Sequence, residues 1–252
     1  MPLVRYLFLP VIVFNSLSRG MGLKTIALIA FSGAAVTIGS QYVFSLLSKY
    51  TGLKASAEDS FPNVAYFTFP LLAYCFGFTG LGTASCFLVG SYLGSQSSSI
   101  NWKNLIREPI IFAAIAGIGL TFVGYRLSFL SQVISPIYNA SFSMILIYLG
   151  TAFHPMGSIN FGDGLSATTS RLIAGFAIAT IIINLLSFGG SIAKTIMICA
   201  LAPPGSASGQ LGRNSEKAGI LICIVLMFVI DQVGWSPWNK MGGWGGGYDI
   251  RW

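Results

Sequence analysis

Apolar runs long enough to cross a bilayer follow one another from residue 3 to residue 235, and the charges fall mainly between them. About 20 apolar residues in a helix span the hydrocarbon core, whereas barrel strands are shorter and alternate in polarity, which these runs do not. In lipid the backbone must satisfy its own hydrogen bonds, so unalternated runs of this length imply helices. With 54% hydrophobic and only 8% charged residues, the chain has too few charges to cover a soluble surface. The expected class is therefore all-α, a polytopic membrane protein.

Nine spans are predicted, at about 3–18, 24–48, 61–78, 81–96, 108–126, 134–153, 169–188, 191–210 and 218–235. The longest polar intervals, near 49–60, 97–107 and 154–168, leave no room for a soluble domain. Residues 1–235 are thus read as one transmembrane domain, followed by a Gly- and Trp-rich tail at 236–252 that suits the membrane interface. Residues 1–18 lack the small-residue cleavage pattern of a secretory signal, so they are read as a helix that stays.

Odd span number places the two ends on opposite sides. One side collects Arg5, Lys49, Lys54, Lys103, Arg107, Arg171, Arg213 and Lys217; the other has Arg19, Lys24, Arg126, Lys194 if it counts as a loop residue, Lys240 and Arg251. The excess, eight against six, assigns the N-terminus and the 97–107 loop to the cytoplasm. The formal charge of +7 is scattered over short loops without a cluster, which excludes nucleic acid and leaves the bilayer headgroups as its partner. Cys75, Cys86, Cys199 and Cys223 lie singly within apolar runs and read as small core residues; His154, beside Pro155, reads as a loop residue.

Two spans are interrupted. FPNVAYFTFPLLAYCFG, residues 61–77, carries Pro62, Asn63 and Pro70, and SIAKTIMICALAPPGSASGQLG, residues 191–212, carries Pro203-Pro204-Gly205 with Ser206 and Ser208 behind it. A proline in a helix interior removes a hydrogen bond and clashes with the preceding turn, at about 3 kcal/mol. In hydrocarbon such breaks persist only where they are buried in protein or line a wet cavity. The breaks fall in spans three and eight, five apart, so the second copy is inverted relative to the first. Repeat one would cover about 3–96 and repeat two about 108–235, with a site where the broken helices cross. Half-helix N-termini suit an anion, and Asn63, Thr68, Ser206 and Ser208 offer hydrogen bonds around Pro70, Pro203 and Pro204.

Lys194 either neutralises an anion in that cavity or snorkels to the interface. Asp231 is read as interfacial or paired rather than as a proton carrier, and Asn15, Asn139 and Asn184 as interhelical hydrogen-bonding groups. Tyr66 and Phe67 either stack on a planar ligand or fill space.

The order of these segments resembles the auxin efflux carrier family, within the wider superfamily that includes bile acid carriers. That family has ten helices in two inverted repeats of five, the fourth and ninth broken at prolines and crossing. Asn63 precedes Pro70 at the family's spacing, LFLPVIVFNSLSRG resembles its second helix and REPIIFAAIAGIG its sixth. SFSMILIYLGTAF resembles the seventh and ALAPPGSAS the break of the ninth, so the resemblance covers nearly all of residues 3–235. Two departures stand out: the family's first helix has no counterpart, and Ala65, Tyr66, Phe67 and Thr68 stand where the family keeps glycine.

The function expected is a carrier of small organic anions working by alternating access, alone, as a homodimer or within a larger membrane complex. With no nucleophile–base pair, metal-ligand cluster or phosphate loop, neither an enzyme nor a bound cofactor is expected. The rival reading is a non-transporting membrane subunit that keeps the fold as a scaffold or regulator. A third is a sodium- or proton-coupled symporter of the wider superfamily.

Overall fold

The computed structural model describes residues 3–51, 61–95, 108–123, 128–151, 161–205 and 217–225, and among them there are helices and no strand. In chain order these are α1 (Val4–Leu17), α2 (Leu23–Thr51), α3 (Phe69–Ser95), α4 (Pro109–Val123), α5 (Ser128–Thr151), α6 (Phe161–Leu185), α7 (Gly190–Ala200) and α8 (217–225). Two stretches, Leu23–Leu47 in α2 and Leu165–Leu185 in α6, are long and apolar enough to cross a membrane by length and composition. His154, Asp231, Ser206, Ser208 and the 236–252 tail lie outside the described residues.

The local sequence explains where helices widen and stop. VRYLFLP at 4–10 and VAYFTFP at 64–70 share a Val-x-Tyr start and a final proline, and each begins with a wide π-type turn, Val4–Phe8 and Val64–Thr68. A proline ring presses on the carbonyl four residues back and offers it no N–H. The widened turn just before the ring gives that carbonyl room. At Gly77 the backbone takes φ 55°, ψ −140°, a left-handed conformation that side chains resist, and α3 is divided there into two arms. That division falls where the sequence separates the spans 61–78 and 81–96.

Three boundaries differ from the sequence expectation. α5 starts at Ser128 rather than near 134. α7 ends at Ala200 rather than near residue 210, because the residues before Pro203-Pro204 are pushed out of helical geometry. α6 starts at Phe161 rather than near 169, drawing the polar stretch SATTSR into the helix. Arg171, counted above among the charges of one side although the span 169–188 contains it, lies well inside α6 with no exposed surface. Lys194, inside α7, leaves the count on the other side for the same reason, and the excess becomes seven against five.

Glycines let these helices touch backbone to backbone. On the second arm of α3, Gly90 and Gly94 lie against Ala30 and Ala34 of α2, and Gly33 of α2 lies against Phe87 of α3. The spacing of four puts Gly90 and Gly94 on one face, the arrangement that replaces hydrophobic contrast as an association force in lipid. Ser91 Oγ donates to Gly33 O at 3.2 Å across the same seam. α1 packs on α4 and α5; Gly117 faces Phe14 O, and Thr121 Oγ1 donates to Leu17 O at 2.9 Å. α6 packs on α2 and α7, with Gly39 against Ile178 and Gly175 against Ala200 O. The result is one cluster of α1, α4 and α5 beside another of α2, α3, α6 and α7, joined along α1 and α3.

Outward faces are apolar: Phe31 on α2, Phe112, Ile115 and Phe122 on α4, Ile147 on α5, and Ile173, Phe176 and Ile181 on α6 are all exposed. Hydroxyls within these helices bond to the carbonyl one turn back, as Ser32 Oγ to Leu28 O and Thr180 Oγ1 to Phe176 O do. Asn184, expected to bond between helices, donates Nδ2 to Thr180 O of its own helix at 2.8 Å, and Asn139 is exposed. Cys86, Cys199 and Cys223 are buried, and Cys75 is half-buried. Arg5 Nη2 pairs with Glu108 Oε1, tying the start of α1 to the start of α4.

Candidate functional site

The two interrupted segments meet. Pro62 and Pro204 form an isolated antiparallel pair, in which Asn63 N–H donates to Pro203 O at 2.9 Å and Gly205 N–H donates to Phe61 O at 2.7 Å. Proline supplies no donor, so the pairing runs through the residues on either side of each ring. Each break thus donates one backbone hydrogen bond to the other, and Phe61, Pro62, Asn63, Pro203, Pro204 and Gly205 are all buried. The first break is centred on Pro62 and Asn63. Pro70, named with them in the sequence reading, sits half-buried inside α3 behind the wide turn.

Asn63 caps the helix that follows. Its backbone is non-helical, Oδ1 accepts from Tyr66 N–H at 3.2 Å, and its carbonyl accepts from Phe67 N–H at 3.3 Å. Thr68 Oγ1 donates back to that carbonyl at 3.4 Å, so its hydroxyl braces the cap. Asn63 Nδ2 is buried without a hydrogen-bond partner, a free donor at the crossing of the two segments. Two half-helix ends of opposite sign converge here, the positive N-terminus behind Asn63 and the negative C-terminus of α7 at Ala200.

Lys194 lies in the first turns of α7, half-buried, six residues before Ala200 and so about 9 Å from the break along the helix axis. Tyr66 is buried, with its ring centroid 5.3 Å from that of Tyr148 on α5 at an interplanar angle of 56°. Of the two roles open to it in the sequence, it fills space between the crossover and α5; Phe67 packs half-buried against the core. Replacing Tyr66 with alanine empties that wedge, and a stability loss of about 3 kcal/mol is expected in a denaturation series. A melting midpoint equal to that of the unsubstituted protein would show that the ring contact carries no weight.

Sequence reasoning named two groups without giving them a part in the site. Gly205 passes so close to Asn63 that a Cβ would stand 2.9 Å from Asn63 Cα. Arg171 on α6 is buried next to the end of α7; the signal was there in SATTSRLIAG, whose hydroxyl and small residues at one-turn spacing mark an interior polar face. No family model matches the chain, and neither curated proteins nor solved structures include a significant match.

Proposed function

We propose that the chain is a multi-pass membrane carrier of small organic anions, with its site at the paired breaks. The observation that carries this reading is the backbone bridge between two buried, proline-interrupted segments lying five predicted spans apart. The exposed apolar faces of α2, α4, α5 and α6 support lipid surroundings. Nine spans, with the N-terminus in the cytoplasm and the C-terminus opposite, belong to the same proposal and rest on the apolar runs and the charge count. The separate packing of α1, α4 and α5 supports a scaffold against which the cluster bearing both breaks moves. The resemblance to the auxin efflux carrier family, its inverted repeats and its dimers belongs to this proposal, as does the absence of covalent chemistry.

The carrier reading is tested by uptake into proteoliposomes from a panel of monocarboxylates, dicarboxylates and indole acids, with Asn63→Ala beside the unsubstituted protein. A hydrogen bond to a charged ligand is worth about 1.5–3 kcal/mol, so losing the free Nδ2 donor lowers uptake by about tenfold or more. If no anion moved under any gradient, the carrier reading would fall; equal uptake by both proteins would remove Asn63 from the site.

A second reading, a non-transporting scaffold subunit with the same fold, is favoured by one observation. Tyr66 binds the first break to α5 through its ring contact with Tyr148, which ties the two clusters together. Under that reading purified protein moves no anion, and Tyr66→Ala loosens the fold without creating transport.

A further inference from the structure

Arg171 is the largest fully buried side chain among the described residues. Nη1 donates to Ser40 Oγ on α2 at 3.4 Å, whereas Nε and Nη2 are buried without a hydrogen-bond partner. Those two nitrogens share one edge of the planar guanidinium, and their N–H bonds run parallel at the spacing of two carboxylate oxygens. The described carboxylate side chain, Glu108, is taken by Arg5. A buried cation with an open fork is strongly unfavourable unless an anion reaches it.

Further polar groups without partners lie close by. One turn along α6, a Cβ on Gly175 would stand 2.1 Å from Ala200 O and 2.5 Å from Arg171 Nη1, so the guanidinium lies at the end of α7, where the break begins. One turn before Arg171 on the same face, Thr168 Oγ1 is buried without a partner. A Cβ on Gly219 would stand 2.9 Å from Thr168 Oγ1 and 2.7 Å from Pro204 Cδ, which puts that hydroxyl beside the second proline of the break. On α2, Thr37 lies one turn from Ser40, and its hydroxyl is also buried and unpartnered. Ser40, Thr168 and Arg171 therefore present polar groups from two helices next to the paired breaks.

We infer that Arg171, with Ser40 and Thr168, forms a carboxylate-binding subsite beside the crossover. Nε and Nη2 take the two oxygens of a small monocarboxylate, and the two hydroxyls hydrogen-bond around it. The transport role of this subsite rests on the carrier reading; binding by itself does not.

Purified full-length protein in non-ionic detergent is melted in acetate and benzoate, with acetamide and benzamide as neutral isosteres, and the same anions are followed in proteoliposome uptake. The expected result is a melting temperature raised by at least one of the carboxylates and by neither amide. Half-saturation is at least about tenfold weaker in Arg171→Gln and intermediate in Arg171→Lys. Equal responses of Arg171→Gln and the unsubstituted protein, or no response to either carboxylate, overturn the subsite. If the Arg171 variants do not yield folded protein, Ser40→Ala and Thr168→Val decide it: weakened carboxylate binding upholds the subsite and unchanged binding overturns it. An Arg171-dependent melting shift without uptake of these anions or of any other in the panel keeps the subsite and removes the carrier reading, whereas uptake and melting shifts that are indifferent to Arg171 do the reverse.

Discussion

Gly90→Ala is expected to destabilise the protein by about 3 kcal/mol, the upper end of what overpacking a tight interface costs. A Cβ there would stand 1.8 Å from Ala30 O and 2.5 Å from its carbonyl carbon, both backbone atoms that no rotamer change can move away. A carbon and a carbonyl oxygen rest at about 3.3–3.6 Å, so α2 and α3 must separate by about 1.5 Å. The separation is felt along the whole seam, because Gly33, Gly94 and the Ser91 hydrogen bond share it. Alanine's advantage of about 1 kcal/mol in helix propensity does not offset this. The control is Gly119→Ala on α4, where a Cβ meets nothing within 4 Å and the same propensity gain should leave stability equal or slightly higher. Denaturation of both variants beside the unsubstituted protein checks the pair; equal midpoints for Gly90→Ala and Gly119→Ala would refute the contact.

At the crossover, Gly205→Ala is expected to part the two breaks and to abolish whatever activity depends on their meeting. A Cβ there would stand 2.9 Å from Asn63 Cα and 3.0 Å from both Asn63 Cβ and Asn63 N, so the segments must move apart. That movement strains the two hydrogen bonds that join them, Asn63 N–H to Pro203 O and Gly205 N–H to Phe61 O. Left unpaired in a buried setting, each group costs about 1–3 kcal/mol. Under the carrier reading, uptake falls by at least about tenfold, because even 1.4 kcal/mol at the site is a factor of ten. Hydrogen exchange at the Asn63 and Gly205 amides reports the bridge directly and should accelerate. Unchanged exchange at both amides would mean that the bridge tolerates a side chain and that Gly205 is not required for it.

Local chemistry made much of this legible in advance. Pro62 and Pro203-Pro204 in apolar runs announce breaks because a missing N–H is a property of the residue itself, and the turn at Gly77 follows from a conformation other residues resist. Pro70 could not be told apart from Pro62 in the sequence for a related reason. Whether a proline breaks a helix or is absorbed by a widened turn depends on the room around the preceding carbonyls, and the turn Val64–Thr68 supplied it. Tyr66 stayed ambiguous until Tyr148 of α5 was seen beside it, since a ring that stacks on a ligand and a ring that fills a gap are the same residue in a sequence.

By itself, then, the sequence determined a helical chain of apolar segments with two proline-interrupted ones, because helix formation in such runs and its failure at proline are short-range effects. Only the tertiary structure decided that Pro62 is paired with Pro204, that Gly90 meets Ala30, and that Arg171 is enclosed with an open fork of donors. These depend on which surfaces are brought together over more than a hundred residues of chain for the first and third, and on an approach of helices so close that a single methyl group would prevent it for the second.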